Sequence, residues 1–112
     1  MRNALLPHQR LDSYQAAKQL YVLVHQAKIK HTTLRDQAER AALSTLLQLA
    51  EGLPNDSGPM RRKYFTEARN SLFETVTAMD AAHAVGMIST ETYEAVQSTA
   101  ARLRALLVGL LR

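Results

Sequence analysis

Three consecutive bases, Arg61-Arg62-Lys63, follow Pro59 at the point where the residue pattern opens a helix. The first backbone N–H groups of a helix lack partners and lie at the positive end of its macrodipole. Two guanidinium groups and an ammonium beside them would form a site for phosphate. Without an anion the same charges oppose the dipole, each at about 0.3–1 kcal/mol when poorly screened. Pairing with Glu51 or Asp56 across the preceding loop is the alternative use for them. Lys28 and Lys30 are a second close pair of bases. Lys28, Lys30, Arg61, Arg62 and Lys63 are therefore the candidate nucleic-acid contacts.

Other chemistry is poorly supplied. Asp80-Ala-Ala-His83 is the nearest match to the Glu-x-x-His pairs that hold two metals in helical bundles. It occurs once, with the shorter acid, so no metal site is expected. There is no cysteine, which excludes thiolate ligands and cysteine nucleophiles. No HExxH, phosphate-binding glycine loop or GxSxG is present; these are the spacings that zinc proteases, nucleotide binders and serine hydrolases use. His8, His25 and His31 have no acid or nucleophile beside them in sequence. Ser44, Ser71 and Thr75 fall on helical segments and read as packing residues. The expectation is a non-enzymatic protein with no catalytic residue and no cofactor.

The elements that position these residues are all helical. At 112 residues the chain is one domain, with 46% hydrophobic and 21% charged residues, an ordinary globular composition. Alternation is absent, and Ala, Leu, Gln, Arg and Glu dominate. Asp12 is expected to cap helix 1, with Gln15 three residues on as in a capping box. Tyr14, Ala17, Tyr21 and Val24 form one stripe; Ala16, Leu20, Leu23 and Ala27 form another. The mostly polar run from Lys28 to Thr32 ends the helix. Helix 2 is expected after Thr33, with Gly52 as a left-handed C-cap. Its apolar set is broad, from Leu34 through Leu43, Leu46 and Leu47 to Ala50.

Leu53 to Gly58 is the clearest loop, and Pro59 suits the first turn of helix 3. Phe65, Ala68, Leu72, Thr75, Met79 and Ala82 keep 3-4 spacing, and Gly86 ends the run. Met87 and Ile88 form a short apolar connection expected to pack inward. Ser89 caps helix 4, whose seam is Tyr93, Val96, Ala100, Leu103, Leu107 and Leu110. Short connections favour antiparallel neighbours, so the fold is read as all-α, an antiparallel up-down-up-down four-helix bundle over residues 11–112. Residues 1–10 form an N-terminal extension. The double stripe of helix 1 and the apolar end of helix 4 exceed what one bundle face needs, which points to self-association.

The net charge is +4. It gathers as +5 in residues 1–35 and −3 in residues 36–58. That suits an anionic partner, RNA or DNA, although 5% aromatic residues leave little for base stacking. The longest apolar runs fall far short of a membrane span. The opening MRNALLPHQR has no apolar core of a signal peptide, so the expected location is the cytoplasm.

Four segments in order resemble one family over about residues 10–110. Leu11-Asp12-Ser13-Tyr14-Gln15-Ala16-Ala17 is similar to an opening "LxxYQxA". Leu49-Ala50-Glu51-Gly52 resembles the "IAEG" that ends helix 2. Phe65 to Glu74 resembles the helix 3 pattern "F…A.GSLxE", and Val85-Gly86-Met87-Ile88-Ser89 with Tyr93 resembles the turn "LGYIs…Y". The family is the four-helix-bundle proteins encoded in intervening sequences of bacterial 23S rRNA genes. The accessory variability determinant proteins of diversity-generating retroelements are relatives. The resemblance implies a bundle assembled as a homopentamer, non-enzymatic, with nucleic acid and a reverse transcriptase as partners in the retroelement relatives. Five copies would repeat a weak basic patch and let avidity strengthen it. A partner protein, with no nucleic-acid role, is the competing expectation. Two positions depart from the family pattern. Ser44-Thr45-Leu46-Leu47-Gln48 lacks a Ser-x-Pro-x-Asn run, which should leave helix 2 straighter. Asn70 replaces a glycine in helix 3 and is expected to widen a close helix contact.

Overall fold

The computed structural model describes residues 4–112. A short 3-10 turn, Pro7–Arg10, leads into α1 (Asp12–Gln26), α2 (Thr32–Gly52), α3 (Gly58–Ala84) and α4 (Thr90–Leu111). Among the described residues there is no strand.

The helix ends follow local chemistry, with three departures from expectation. Ser57 and Ser89 cap α3 and α4, accepting hydrogen bonds from the N–H groups of Met60 and Thr92. The N-cap of α1 is Leu11, not Asp12. Asp12 sits in the first helical turn, where its charge still favours the dipole, and Gln15 Nε2 donates back to Gln9 O at 2.6 Å. The start of α2 is slightly earlier than expected because His31 Nδ1 accepts from Leu34 N at 3.2 Å. Finally, Gly52 is the last residue of α2 and not a left-handed cap. Gly86 is the glycine with positive φ, 77°. Lys28 takes the corresponding conformation after α1, at φ 48°.

The helices form a closed square of neighbours: α1 with α2, α2 with α3, α3 with α4, and α4 with α1. His25 meets Glu39, Ser44 meets Ser71, Arg62 meets Leu111, and Asp12 lies 4.0 Å from Arg102. The first three join opposite ends or matching middles, and the end of α1 meets the start of α4 where Leu23 and Gln26 line one cleft with Glu91 and Thr92, so every neighbouring pair is antiparallel. The α1–α2 face thus lies opposite the α3–α4 face.

All six expected residues of α3 are buried, as are Val96, Ala100, Leu103 and Leu107 of α4. Tyr93 and Leu110 are half-buried at the margins. In α1 the inner residues of both stripes, Ala16, Ala17, Leu20 and Val24, are buried. Ile29, the apolar residue of the mostly polar run from Lys28 to Thr32, is buried as well, and Ile88 packs inward while Met87 stays exposed. Thr45 and Thr75 are buried without harm, because their hydroxyls donate to Ala41 O and Ser71 O one turn back. Asn70 is exposed, so it does not widen the α2–α3 contact. That contact is made beside it by the Ser44 and Ser71 hydroxyls at 2.9 Å.

Candidate nucleic-acid interface

The basic run at the start of α3 meets two helix ends. Arg61 Nη1 donates to Leu53 O at 2.5 Å and to Gly52 O at 3.2 Å. Its guanidinium also lies over the Phe65 ring, 5.0 Å from the centroid. Arg61 therefore donates to carbonyls that α2 leaves unpaired within itself, Gly52 O also accepting from Asn55 N–H. Glu51 and Asp56 are not its partners. Arg62 Nη1 donates to Leu111 O, at 2.9 Å, where α4 stops. Antiparallel packing sets the negative ends of α2 and α4 beside the positive start of α3. Two bases that oppose the dipole of their own helix complement those of its neighbours.

Lys63 is exposed and near the Tyr64 ring, 5.9 Å from its centroid. Arg62 is exposed too and keeps donors beyond the one given to Leu111. Arg10 and Arg112 share this end of the bundle, against Glu51 and Asp56, while Arg102 stands in the middle of α4, 4.0 Å from Asp12. Lys28 and Lys30 lie in the α1–α2 connection, at the other end. A helix of this length spans about 30 Å, so the five candidate residues form two separate groups.

Sequence reasoning misses two further bases. Arg69 and Arg104 stand at the same height on α3 and α4, because the Arg62–Leu111 and Asp80–Tyr93 contacts fix the register. Among the described residues neither has a carboxylate within ion-pair distance. Above them runs an open groove of about 430 Å³, lined by Leu72, Phe73, Val76, Ala100, Ala101 and Arg104 among others. The spacing Arg62–Arg69, two helical turns on one face, is the available signal.

Asp80 and His83 serve the α3–α4 contact. Tyr93 OH donates to Asp80 Oδ1 at 2.8 Å, which raises the tyrosine pKa above 10.0, with desolvation and the carboxylate charge adding to the effect. The His83 ring stacks on Tyr93, centroids 4.2 Å apart, and its Nε2 lies 3.1 Å from Thr90 Oγ1. Among the described residues no three His, Asp or Glu side chains converge, and no helix is long and apolar enough to cross a membrane.

The fold is shared with a solved structure, that of a protein of unknown function from the S23 ribosomal protein family of Bacteroides thetaiotaomicron. The TM-score is 0.80 at 16% identity, covering 89% of this chain and 98% of the other. At that identity the likeness speaks for the fold alone. No curated protein matches the sequence. The model of the 23S rRNA-intervening sequence proteins matches residues 9–109, and the chain belongs to that family.

Proposed function

We propose that this protein is a non-enzymatic, homo-oligomeric scaffold of the cytoplasm, in which repeated copies of one basic bundle end bind RNA or DNA. The observation that carries the reading is the apolar surface left over after the core is complete. Leu43, Leu47, Val22 and Phe73 are exposed although every helix already buries a full stripe. Side chains of this size on an outer face suit contact between copies. Assembly would repeat the end formed by Arg10, Arg62, Lys63 and Arg112, so contacts too weak singly would act together. A homopentamer is the count the family resemblance implies.

Light scattering after gel filtration tests the reading, with and without a short RNA at low and moderate salt. The expected result is a mass of several chains, with RNA co-eluting only at low salt. A single-chain mass that ignores RNA overturns it. A second reading, a module that docks another protein, draws on an apolar cleft at the far end of the bundle. Leu34, Ala81, Val85 and Met87 line that cleft.

A further inference from the structure

The residues at the start of α2 offer two places for the helix to begin. Thr33-Leu34-Arg35-Asp36 has the spacing of a capping box, a hydroxyl residue with an acid three positions on. The helix starts before it, with His31 as N-cap and Thr32 and Thr33 both helical. The His31 ring accepts from Leu34 N–H through Nδ1 at 3.2 Å, and its carbonyl accepts from Arg35 N–H at 2.9 Å. The caps of α3 and α4, Ser57 and Ser89, act through hydroxyls. Of these three caps, His31 is the one that can gain a charge near neutral pH.

An imidazole nitrogen accepts a hydrogen bond only while it carries no proton. A proton on Nδ1 ends the bond to Leu34 and sets a positive charge against the positive end of the α2 dipole. Nothing around the ring favours that charge. Ala81 and Val85 of α3 and Met87 of the next connection line the cleft beside it, and all are apolar. Glu74 stands two helical turns along α3 from Ala81. Asp80 accepts from Tyr93, and His83 Nε2 lies 3.1 Å from Thr90 Oγ1, so both are turned to α4. Lys28 and Lys30, on the same connection as His31, share the sign of the added charge. Within α2, Arg35 donates from Nη1 to Ile29 O at 3.4 Å, and Asp36 Oδ1 lies 3.9 Å from Arg35 Nε. Glu91 and Glu94 belong to α4, across the square of helices from α2. On α1, His25 Nδ1 lies 3.3 Å from Glu39 Oε1, so a proton there strengthens a contact where one on His31 removes it.

We propose that α2 has two alternative starts and that a proton on His31 moves the helix from the first to the second. Above the range near about pH 6.5 in which an imidazole takes up its proton, His31 is the cap. Below that range the ring leaves Leu34 N–H, Thr32 and Thr33 unwind, and Thr33 becomes the cap. Its hydroxyl then accepts from Asp36 N–H, and the Asp36 carboxylate accepts from Thr33 N–H. The change reaches the apolar cleft directly. Leu34, whose N–H the ring holds, also lines that cleft with its side chain, and His31 and Thr33 line it too. Moving the start of the helix past Thr33 therefore loosens the α2 wall of the cleft against Ala81, Val85 and Met87. The switch is independent of assembly and of nucleic acid.

Backbone and methyl NMR of the whole chain, from about pH 8 to about pH 5, tests the switch. The Cα chemical shifts of Thr32 and Thr33 should leave the helical range with the midpoint of the His31 ring. The ratio of the two starts should change about tenfold, from the lost cap and the charge against the dipole together. Methyl resonances of Leu34 and Met87 should move with the same midpoint. His31→Asn supplies a cap that does not titrate, at an exposed position. In that variant Thr32 and Thr33 should stay helical throughout. His25 and His83 remain in it, so a change that persists there belongs to them and overturns the proposal. Thr33→Ala removes the second cap. Near pH 5 its Asp36 N–H should lose the protection from exchange that wild type and Thr33→Ser keep. Equal protection in Thr33→Ala would mean that the first turn only frays, which overturns the second start. Threonine shifts that stay helical in wild type overturn the switch outright. Methyl groups that stay still while Thr33 unwinds overturn its link to the cleft.

Discussion

Arg61 reaches from the first turn of α3 to Leu53 at the end of α2, with Nη1 2.5 Å from the carbonyl oxygen. The same nitrogen lies 3.2 Å from Gly52 O. One charged donor thus answers two carbonyls that the helix itself leaves unpaired. Arg61→Ala should lower stability by about 1–2 kcal/mol, within the range for hydrogen bonds to a charged group after discount for its partial exposure. Arg61→Lys should recover only part of this, because an ammonium cannot both bridge the carbonyls and lie flat over Phe65. Urea unfolding of the three proteins checks it. An alanine variant as stable as wild type would show that the contact contributes nothing.

Gly52 has its reason in the same place. A Cβ there would lie 2.7 Å from Phe65 Cε1 and 3.0 Å from Tyr64 Cβ. Phe65 is buried and cannot retreat cheaply. Gly52→Ala should therefore cost about 1–3 kcal/mol, despite the better helix propensity of alanine. Gly109 is also helical, and a methyl group added there would meet nothing within 4 Å. Gly109→Ala should be neutral or stabilising by up to about 1 kcal/mol. Opposite signs in thermal melts of the two variants are the expected outcome. Equal effects would remove the steric argument.

How much of this is readable in the residues depends on how far apart the interacting groups are. The six buried positions of α3 follow from 3-4 spacing, since one helix face must meet a core. Ser89 is legible as a cap because the cap and its N–H are neighbours in sequence. Gly52 reads locally as a left-handed stop, the commonest use of such a glycine, whereas its need comes from Phe65 on the next helix. Lys28 shows the converse. The chain turns left-handed at a residue that no rule of composition marks, and the burial of Ile29 just after it fixes the path. Arg61 and Arg62 show no partner in sequence, because the carbonyls at the ends of α2 and α4 that accept from them cannot be seen from α3. The charges are legible, and their partners are not.

Tyr93 gives the bundle a pH dependence with a defined sign. Its pKa is raised above 10.0, mainly because its hydroxyl donates to Asp80. An unfolded tyrosine loses its proton near pH 10, while the folded one still holds it. The contribution is thus fully present below pH 10 and is lost as pH climbs through the folded pKa. Urea midpoints should fall between about pH 8 and about pH 11, and less steeply in Tyr93→Phe. That variant keeps the ring stacked on His83 and removes only the titrating group. Identical pH profiles for the two proteins would show that the Asp80 hydrogen bond does not hold the proton.

The two groups of candidate bases make different predictions for nucleic acid, because they lie at opposite ends of the bundle. If phosphate binds at the end that holds Arg62 and Lys63, Arg62→Glu with Lys63→Glu should weaken RNA binding steeply. The slope of log K against log salt should shrink by about 0.7 for each single-strand phosphate that is no longer neutralised. Lys28→Glu with Lys30→Glu should leave binding nearly unchanged, since their charges are more than a Debye length from that end. Arg61→Ala should act through stability alone, as its guanidinium is committed to Leu53 and Gly52. Fluorescence anisotropy across a salt series separates these outcomes, with circular dichroism to exclude fraying of α4 after Arg62 releases Leu111. Loss of binding in the Lys28 and Lys30 variant alone would move the site to the other end. Equal loss in both would mean that the RNA spans the length of the bundle and that no single end forms the interface.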